Sequence, residues 1–382
     1  MTAIYLDYNA TTPIDPQVAQ AMSPYIHGQF GNPSSGHGFG QTAREAVELA
    51  RGQIARMLGC HDDEVVFTSG GTESNNFAIK GVAGAYRGGG NHIITSSIEH
   101  PSVDEVCRYL EGRGCVITYL PVDGLGVVYP EQVEEAITPD TILVTIMHAN
   151  NEVGTVQPIR EIVQVARKHG VHVHSDCAQS VGKIPVRVDD LGVDLLSIAG
   201  HKLYAPKGVG ALFVRRGVQL EKLMHGADHE MGRRAGTESV ILVAGLGQAC
   251  QLIVENLDGY RMHMAEMRDR LEAGLLRAFP EARVNGHPQR RLPNTSSVSF
   301  RRIEANAILD GLKEVAASAG AACHSDRIDV SPVLQAMDVP IDYAMGTIRL
   351  SVGRYTTAEE VDRAVEEIAG VVSKMIGART LD

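Results

Sequence analysis

The chain has 382 residues, 44% of them hydrophobic and 21% charged, which excludes a disordered chain that cannot bury enough apolar surface to offset the entropy of ordering. At this length a core forms without disulfide or metal staples. With 35 basic against 46 acidic residues, a net charge of −11 and no basic block, the chain lacks the cation density that neutralises a phosphate backbone, so nucleic acid is not an expected partner.

In chain order, Met1-Thr2-Ala3-Ile4-Tyr5 shows neither a basic nor an apolar leader, and the expectation is a cytoplasmic protein. No apolar run is read as reaching the ~18 residues of a membrane helix, so no membrane association is expected. Strands are predicted over Val65–Thr68, His92–Ser96, Val116–Leu120, Ile142–Met147, Val171–Ser175, Leu195–Ala199 and Val209–Val214. Helical patterns lie between them, as over Ile159–Lys168, where Ile159, Ile162, Val163 and Ala166 share a face. Apolar strands alternating with helices predict an α/β fold with a mostly parallel sheet covered on both faces.

The pattern changes after Ser239. Two helices are predicted, Val240–Leu257 and Tyr260–Phe279, then a polar turn region over Asn285–Asn294, a strand near Ser296–Phe300, a helix near Asn306–Glu314, a strand near Ile348–Val352 and an amphipathic helix over Ala358–Met375. A large domain over 15–255 and a smaller α+β domain built from 1–14 and 256–382 are expected. The six cysteines, Cys60, Cys107, Cys115, Cys177, Cys250 and Cys323, form no CxxC pair, which argues against zinc and disulfide frameworks, and no metal site is expected.

Three stretches carry chemistry. Ser69-Gly70-Gly71-Thr72-Glu73-Ser74-Asn75 follows a predicted strand and opens a helix. Backbone N–H groups there attract an anion, although an ordinary strand-to-helix turn would look the same. Asp176, in His174-Ser175-Asp176-Cys177-Ala178-Gln179, ends another strand, where α/β proteins place ligands. Lys202 follows a third strand in Gly200-His201-Lys202-Leu203-Tyr204-Ala205-Pro206. A phosphate turn, a carboxylate and a strand-end amine are the set that pyridoxal 5'-phosphate requires.

These residues, with Tyr5-Leu6-Asp7-Tyr8-Asn9-Ala10-Thr11-Thr12, Gly31-Asn32-Pro33-Ser34-Ser35, Ser97-Ile98-Glu99-His100, Asn150-Asn151-Glu152-Val153-Gly154, Arg234-Ala235-Gly236-Thr237 and Arg349-Leu350-Ser351-Val352-Gly353-Arg354, resemble the cysteine desulfurases of the class V aminotransferase group nearly end to end. The resemblance implies a fold-type I architecture with a seven-stranded sheet and a pyridoxal 5'-phosphate cofactor. It implies that Lys202 is the Schiff-base lysine, that Asp176 pairs with the ring nitrogen, and that His100 stacks on the ring and moves protons. By the same likeness Asn151 and Gln179 bond the ring hydroxyl, Gly71, Thr72 and His201 hold the phosphate, and Arg349, Asn32 and Asn151 bind the substrate. Thr237 resembles a residue that reaches the phosphate of a neighbouring subunit, which implies a homodimer. Cys323 matches the nucleophilic cysteine that takes sulfur from L-cysteine as a persulfide and hands it to an acceptor protein, in iron–sulfur cluster assembly or in tRNA or DNA modification. The small-residue run around Gly320 is expected to be a mobile loop, with Gly320 lending it backbone freedom.

Two positions depart from the family pattern. Ala199 stands where a phosphate-binding Ser is common, and Cys177 takes a small-residue position, where a buried apolar role is expected. Around Cys323 the sequence Gly320-Ala321-Ala322-Cys323-His324-Ser325-Asp326, followed by Ser331-Pro332, also resembles selenocysteine lyases. Pro101, after His100, stands where animal enzymes of that branch carry an acidic residue. An aminotransferase or another lyase is the remaining enzymatic alternative, and a silent sulfur-transfer scaffold the non-enzymatic one.

Overall fold

Seven strands line up in the order Val65–Thr68, Gly210–Val214, Leu195–Ala199, His172–Asp176, Thr141–Thr145, His92–Ser96 and Val116–Leu120. Only Gly210–Val214 runs against its neighbours; the four strand pairs at the other end of the sheet are all parallel. The computed structural model describes residues 3–324 and 327–379. The central strands Thr141–Thr145 and Leu195–Ala199 are buried along their whole length, as expected for a sheet covered on both faces. Helix Gly71–Ala85 packs its Phe77, Ile79 and Val82 into the core of one face, and Ile159–Lys168 contributes Ile159, Ile162, Val163 and Ala166 to the other.

Three expectations need correction. The two helices predicted after Ser239 are one, Val240–Ala278. Asp258-Gly259 does not break it, because a glycine inside a helix costs only about 1 kcal/mol, less than the packing on either side supplies. The proposed domain limit at residue 255 therefore lies inside a helix. An 18-residue stretch of this helix does meet the length and composition of a membrane span, contrary to expectation, and half of that stretch is buried within the protein. Val243, Leu246, Ala249, Cys250 and Ile253 pack there into the core of the large sheet.

Beyond Ile253 the same helix changes cores. Met264, Met267, Leu271 and Leu275 join Ile348, Leu350, Val361 and Ile368, together with Ile4 and Leu6 from the N-terminus. The second core covers an antiparallel sheet in the order Ser318–Ala319, Thr347–Ser351, Thr295–Ser299, Arg283–Asn285. The two units are tied by Arg354, whose guanidinium pairs with buried Asp15 at 2.9 Å and stacks 3.8 Å over Tyr204.

The third correction concerns the cysteine segment. Ala321–His324 and Arg327–Val330 form an antiparallel hairpin in which the backbone of Cys323 pairs with Ile328. Gly320 is no hinge. Its φ is not in the left-handed region, its N–H donates to Thr347 O at 2.8 Å, and a Cβ there would meet Thr347 Cγ2 at 2.9 Å. Its glycine is required by close approach to the neighbouring strand.

Candidate active site

The carboxyl ends of the parallel strands open onto a cavity of about 450 Å³ lined by Asn9, Ala10, Gly71, Thr72, His100, Ser102, Asn151, Asp176, Gln179, Ala199, His201, Lys202 and Arg349, among others. This is where open α/β sheets bind ligands, and the volume lies within the usual range for small-molecule sites. A larger groove near Gly88–Gly90, about 920 Å³, has none of these groups.

Each side chain arrives by a short connection from a strand. Lys202 sits three residues past Leu195–Ala199, and its Nζ donates to Asn9 O at 2.5 Å and Ala10 O at 2.7 Å. Burial, with help from Arg349, lowers its pKa to about 8, so the amine is a nucleophile near neutral pH. Asp176 ends His172–Asp176. Ala178 N donates to its Oδ1 at 2.9 Å and Asn75 Nδ2 to its Oδ2 at 2.7 Å, which fixes the carboxylate.

His100 caps the helix Pro101–Glu111. Its Nδ1 accepts from Ser102 N at 3.1 Å and lies 2.8 Å from Ser102 Oγ, which in turn receives Asn75 Nδ2. A ring nitrogen that accepts an N–H carries no proton, so the imidazole proton is on Nε2. Burial keeps the ring below its ordinary pKa, opposed by Asp176 and reinforced by Lys202. Glu99, immediately before it, is half-buried, and desolvation of its carboxyl pushes it up to about 8. It accepts from Ser96 Oγ at 2.5 Å and Met147 N at 3.0 Å, pinning the His100 turn to the next strand end.

Gly71 and Thr72 begin the fifteen-residue helix Gly71–Ala85, so unpaired N–H groups face the cavity. A Cβ on Gly71 would lie 3.2 Å from Ala199 Cβ; the methyl of Ala199 and the bare Gly71 fit one another at this wall. His201 Nδ1 lies 3.2 Å from Thr11 Oγ1, and burial holds the ring at about 4, neutral. Arg349 comes from the second unit. Its Nη2 pairs with Asp7 at 2.8 Å and donates to Ser318 Oγ at 3.1 Å, its Nη1 donates to Asn151 O, and its Nε is buried without a partner.

Two expected residues stand apart. Asn32 is exposed, its Oδ1 accepts Ser34 N at 2.9 Å, and it is not among the cavity-lining residues. Thr237 is exposed on a different cavity of about 150 Å³, beside Thr68, Ser69 and Glu230. The segment before it is held by Glu230, which adopts a left-handed backbone (φ 49°). The Glu230 carboxylate takes Arg51 at 2.8 Å in a buried pair and Phe67 N at 2.8 Å. In the sequence Asn75, Asp7 and Glu99 have no role of their own, although they sit inside the motifs already quoted; Ser102, two residues past His100, lies outside them and carries no such signal.

Cys323 lies on a hairpin anchored before it to Arg349 of the cavity and after it to Glu152, the neighbour of cavity-lining Asn151. Before it, Ser318 bonds Arg349; after it, Ser331 Oγ donates to Glu152 at 2.5 Å, and Ser331 N closes onto Gly320 O. Val330 packs in one cluster with Ile98 and Met147. Cys323 lies three strand positions past Gly320, a reach of about 10 Å. The five other cysteines are free thiols. Burial pushes Cys60, Cys107 and Cys177 to about 12 and raises Cys115 and Cys250 as well. Cys177 is wholly buried in the large core, as its apolar reading expected.

A model of the aminotransferase class-V family matches residues 4–364. Cysteine desulfurase IscS of Methanosarcina thermophila is 47% identical over 375 residues, covering 98% of this chain and 93% of that protein. Among solved structures, a NifS-like protein superposes with a TM-score of 0.92 at 38% identity, covering 97% of this chain and all of the other. SspA in complex with cysteine aligns with a TM-score of 0.79 at 36% identity, over 92% of this chain and 99% of that one.

Proposed function

Because the chain belongs to the class-V aminotransferase family, among its cysteine desulfurases, we propose that it converts L-cysteine to L-alanine and carries the sulfur as a persulfide on Cys323 to an acceptor protein in the cytoplasm. The observation that carries this reading is the meeting of Lys202, Asp176 and a helix N-terminus around one cavity whose rim roots the Cys323 hairpin.

The residues fit pyridoxal 5'-phosphate. An amine near pKa 8 faces a carboxylate locked by two donors, and a helix start with unpaired N–H groups suits a phosphate. When bound, the cofactor supplies an electron sink that weakens bonds at the carbons of an attached amino acid. Lys202 would hold it, Asp176 would pair with its ring nitrogen, Gly71, Thr72 and His201 would hold its phosphate, Asn151 and Gln179 would meet its ring oxygen and His100 would lie against its ring. Lys202 Nζ takes the substrate's α-proton. His100 donates from Nε2, since its Nδ1 is occupied by Ser102. Arg349 receives the substrate carboxylate, exchanging it for Asp7; a guanidinium fork suits such a group. Cys323 then attacks the substrate sulfur. The S–S bond forms as the C–S bond breaks, and the carbon skeleton leaves as alanine. The division at residue 255 belongs to this reading and is supported by the change of core along Val240–Ala278.

Incubated with L-cysteine and a thiol reductant, the holoenzyme should form alanine and sulfide in equal amounts without a 2-oxo acid. A requirement for a 2-oxo acid would make it an aminotransferase. A kcat/KM for selenocysteine with no alanine formed from cysteine would make it a selenocysteine lyase.

The exposure of Thr237 away from its own chain's cavity supports a homodimer with composite sites. Lys202→Ala and Thr237→Ala protomers, each impaired alone, should regain activity when mixed, because one site of each heterodimer carries neither lesion. No recovery under conditions that exchange subunits would refute the composite site.

A further inference from the structure

Lys183 is a lysine in the wrong place for solvent. It is 5% exposed, and among the described residues no carboxylate pairs with it. Its charged neighbours, Lys202 and Arg349, carry its own sign. Burial first, then these neighbours, push its pKa well below the ordinary lysine value, and an amine buried at such cost must be accounted for by its contacts. Nζ donates to Gln179 Oε1 at 2.6 Å and to Asn9 Oδ1 at 2.8 Å. Asn9 Oδ1 also accepts Asn294 Nδ2 at 2.9 Å, so that oxygen keeps a partner without the lysine. Gln179 Oε1 has no other.

The consequence falls on the Gln179 amide. Its oxygen is turned back to Lys183, and its nitrogen donates to Asn9 O at 3.0 Å. An amide nitrogen carries two hydrogens, and Gln179 lines the cavity. Turning the amide over would set Gln179 Oε1 against Asn9 O, acceptor against acceptor, and would take from Lys183 Nζ the oxygen to which it donates. The cavity therefore meets an N–H of Gln179 and never its oxygen. Resting on the reading above, we propose that Lys183 is a positioning residue: by holding Gln179 Oε1 it keeps Gln179 a donor toward the ring oxygen of the cofactor and so favours that oxygen's anionic form.

The test is spectroscopic. In the reconstituted holoenzyme, the pH midpoint of the cofactor's visible absorbance is compared between the parent, Lys183→Met, Gln179→Ala and the double variant. The other groups that titrate or carry charge at the cavity, Lys202, Asp176, His100, His201 and Arg349, are the same in all four. Lys183→Met should raise the midpoint by about one pH unit, tenfold in the proton equilibrium, because it removes the donor that orders the amide. Gln179→Ala should raise it similarly, and the double variant should move no further than Gln179→Ala alone. Lys183→Gln, which can still donate to Gln179 Oε1, should shift it less than Lys183→Met. An unchanged midpoint in Lys183→Met, or additive shifts in the double variant, would overturn the proposal, as would failure of both Lys183→Met and Lys183→Gln to fold, which would make the lysine structural. A parent protein that takes up no chromophore would instead overturn the cofactor reading itself, so the two failures are separable.

Discussion

Lys202→Ala should eliminate turnover of cysteine together with the visible absorbance of covalently held cofactor, while the protein stays folded. Loss of a general base alone typically costs 10²–10⁴-fold, and in the proposed mechanism the same amine also anchors the cofactor, so the loss should reach the limit of detection. No other amine lines the cavity. Lys183, the nearest buried lysine, is committed to Gln179 and Asn9. The lowered pKa of about 8 adds a pH signature. At pH 8 about half of Lys202 is neutral, against well under 1% for an ordinary lysine, roughly a hundredfold more nucleophile. The rate at which cofactor-free protein takes up pyridoxal 5'-phosphate should climb with pH and level off above 8. A rate still rising steeply at pH 10 would contradict it.

The same shift has a consequence for stability. A lysine whose folded pKa lies below its unfolded value binds its proton more weakly in the native state. Between pH 8 and 10.5 the unfolded chain then holds the extra proton, and stability of the cofactor-free protein rises with pH across that window. Lys202→Met should flatten the rise by one proton's worth while the buried tyrosines and cysteines contribute equally to both proteins.

The strands of the large sheet were legible because a buried parallel strand is a short apolar run bounded by polar turns, as Leu195–Ala199 is. The site was legible because Asp176 and Lys202 end or follow such runs. Local sequence divides Val240–Ala278 in two because it weighs Asp258-Gly259, whereas two successive cores hold the helix continuous across them. Gly320 suggests backbone freedom in the sequence and serves close packing in the fold, through a contact with Thr347 that lies 27 positions away in the chain and has no local signature. The proton position on His100 was equally hidden. The sequence leaves both Lys202 and His100 as candidates for the base; Ser102 N, donating to Nδ1, puts the imidazole proton on Nε2 and so favours the reading in which His100 donates.

Cys323→Ser should separate the two halves of the reaction. The variant should bind the cofactor, respond spectroscopically to cysteine and exchange the substrate's α-proton with solvent, because Lys202, His100 and Arg349 are unchanged. Alanine formation should fall by about three orders of magnitude or more, because sulfur then has no thiolate to receive it. The other thiols cannot substitute. Cys177, in the turn beside Asp176, is wholly buried and held at about 12, which leaves roughly one thiolate in 10⁴–10⁵ at pH 7.5. Cys60 and Cys107 are held as high, and Cys115 and Cys250 are also raised. Alkylation after one turnover with ³⁵S-labelled cysteine should place label on Cys323 in the parent and on no cysteine in the variant. If Cys323→Ser released alanine at the parent rate, or if the label appeared on Cys177, sulfur transfer would not pass through the hairpin, and its roots at Arg349 and Glu152 would have to be explained by packing alone.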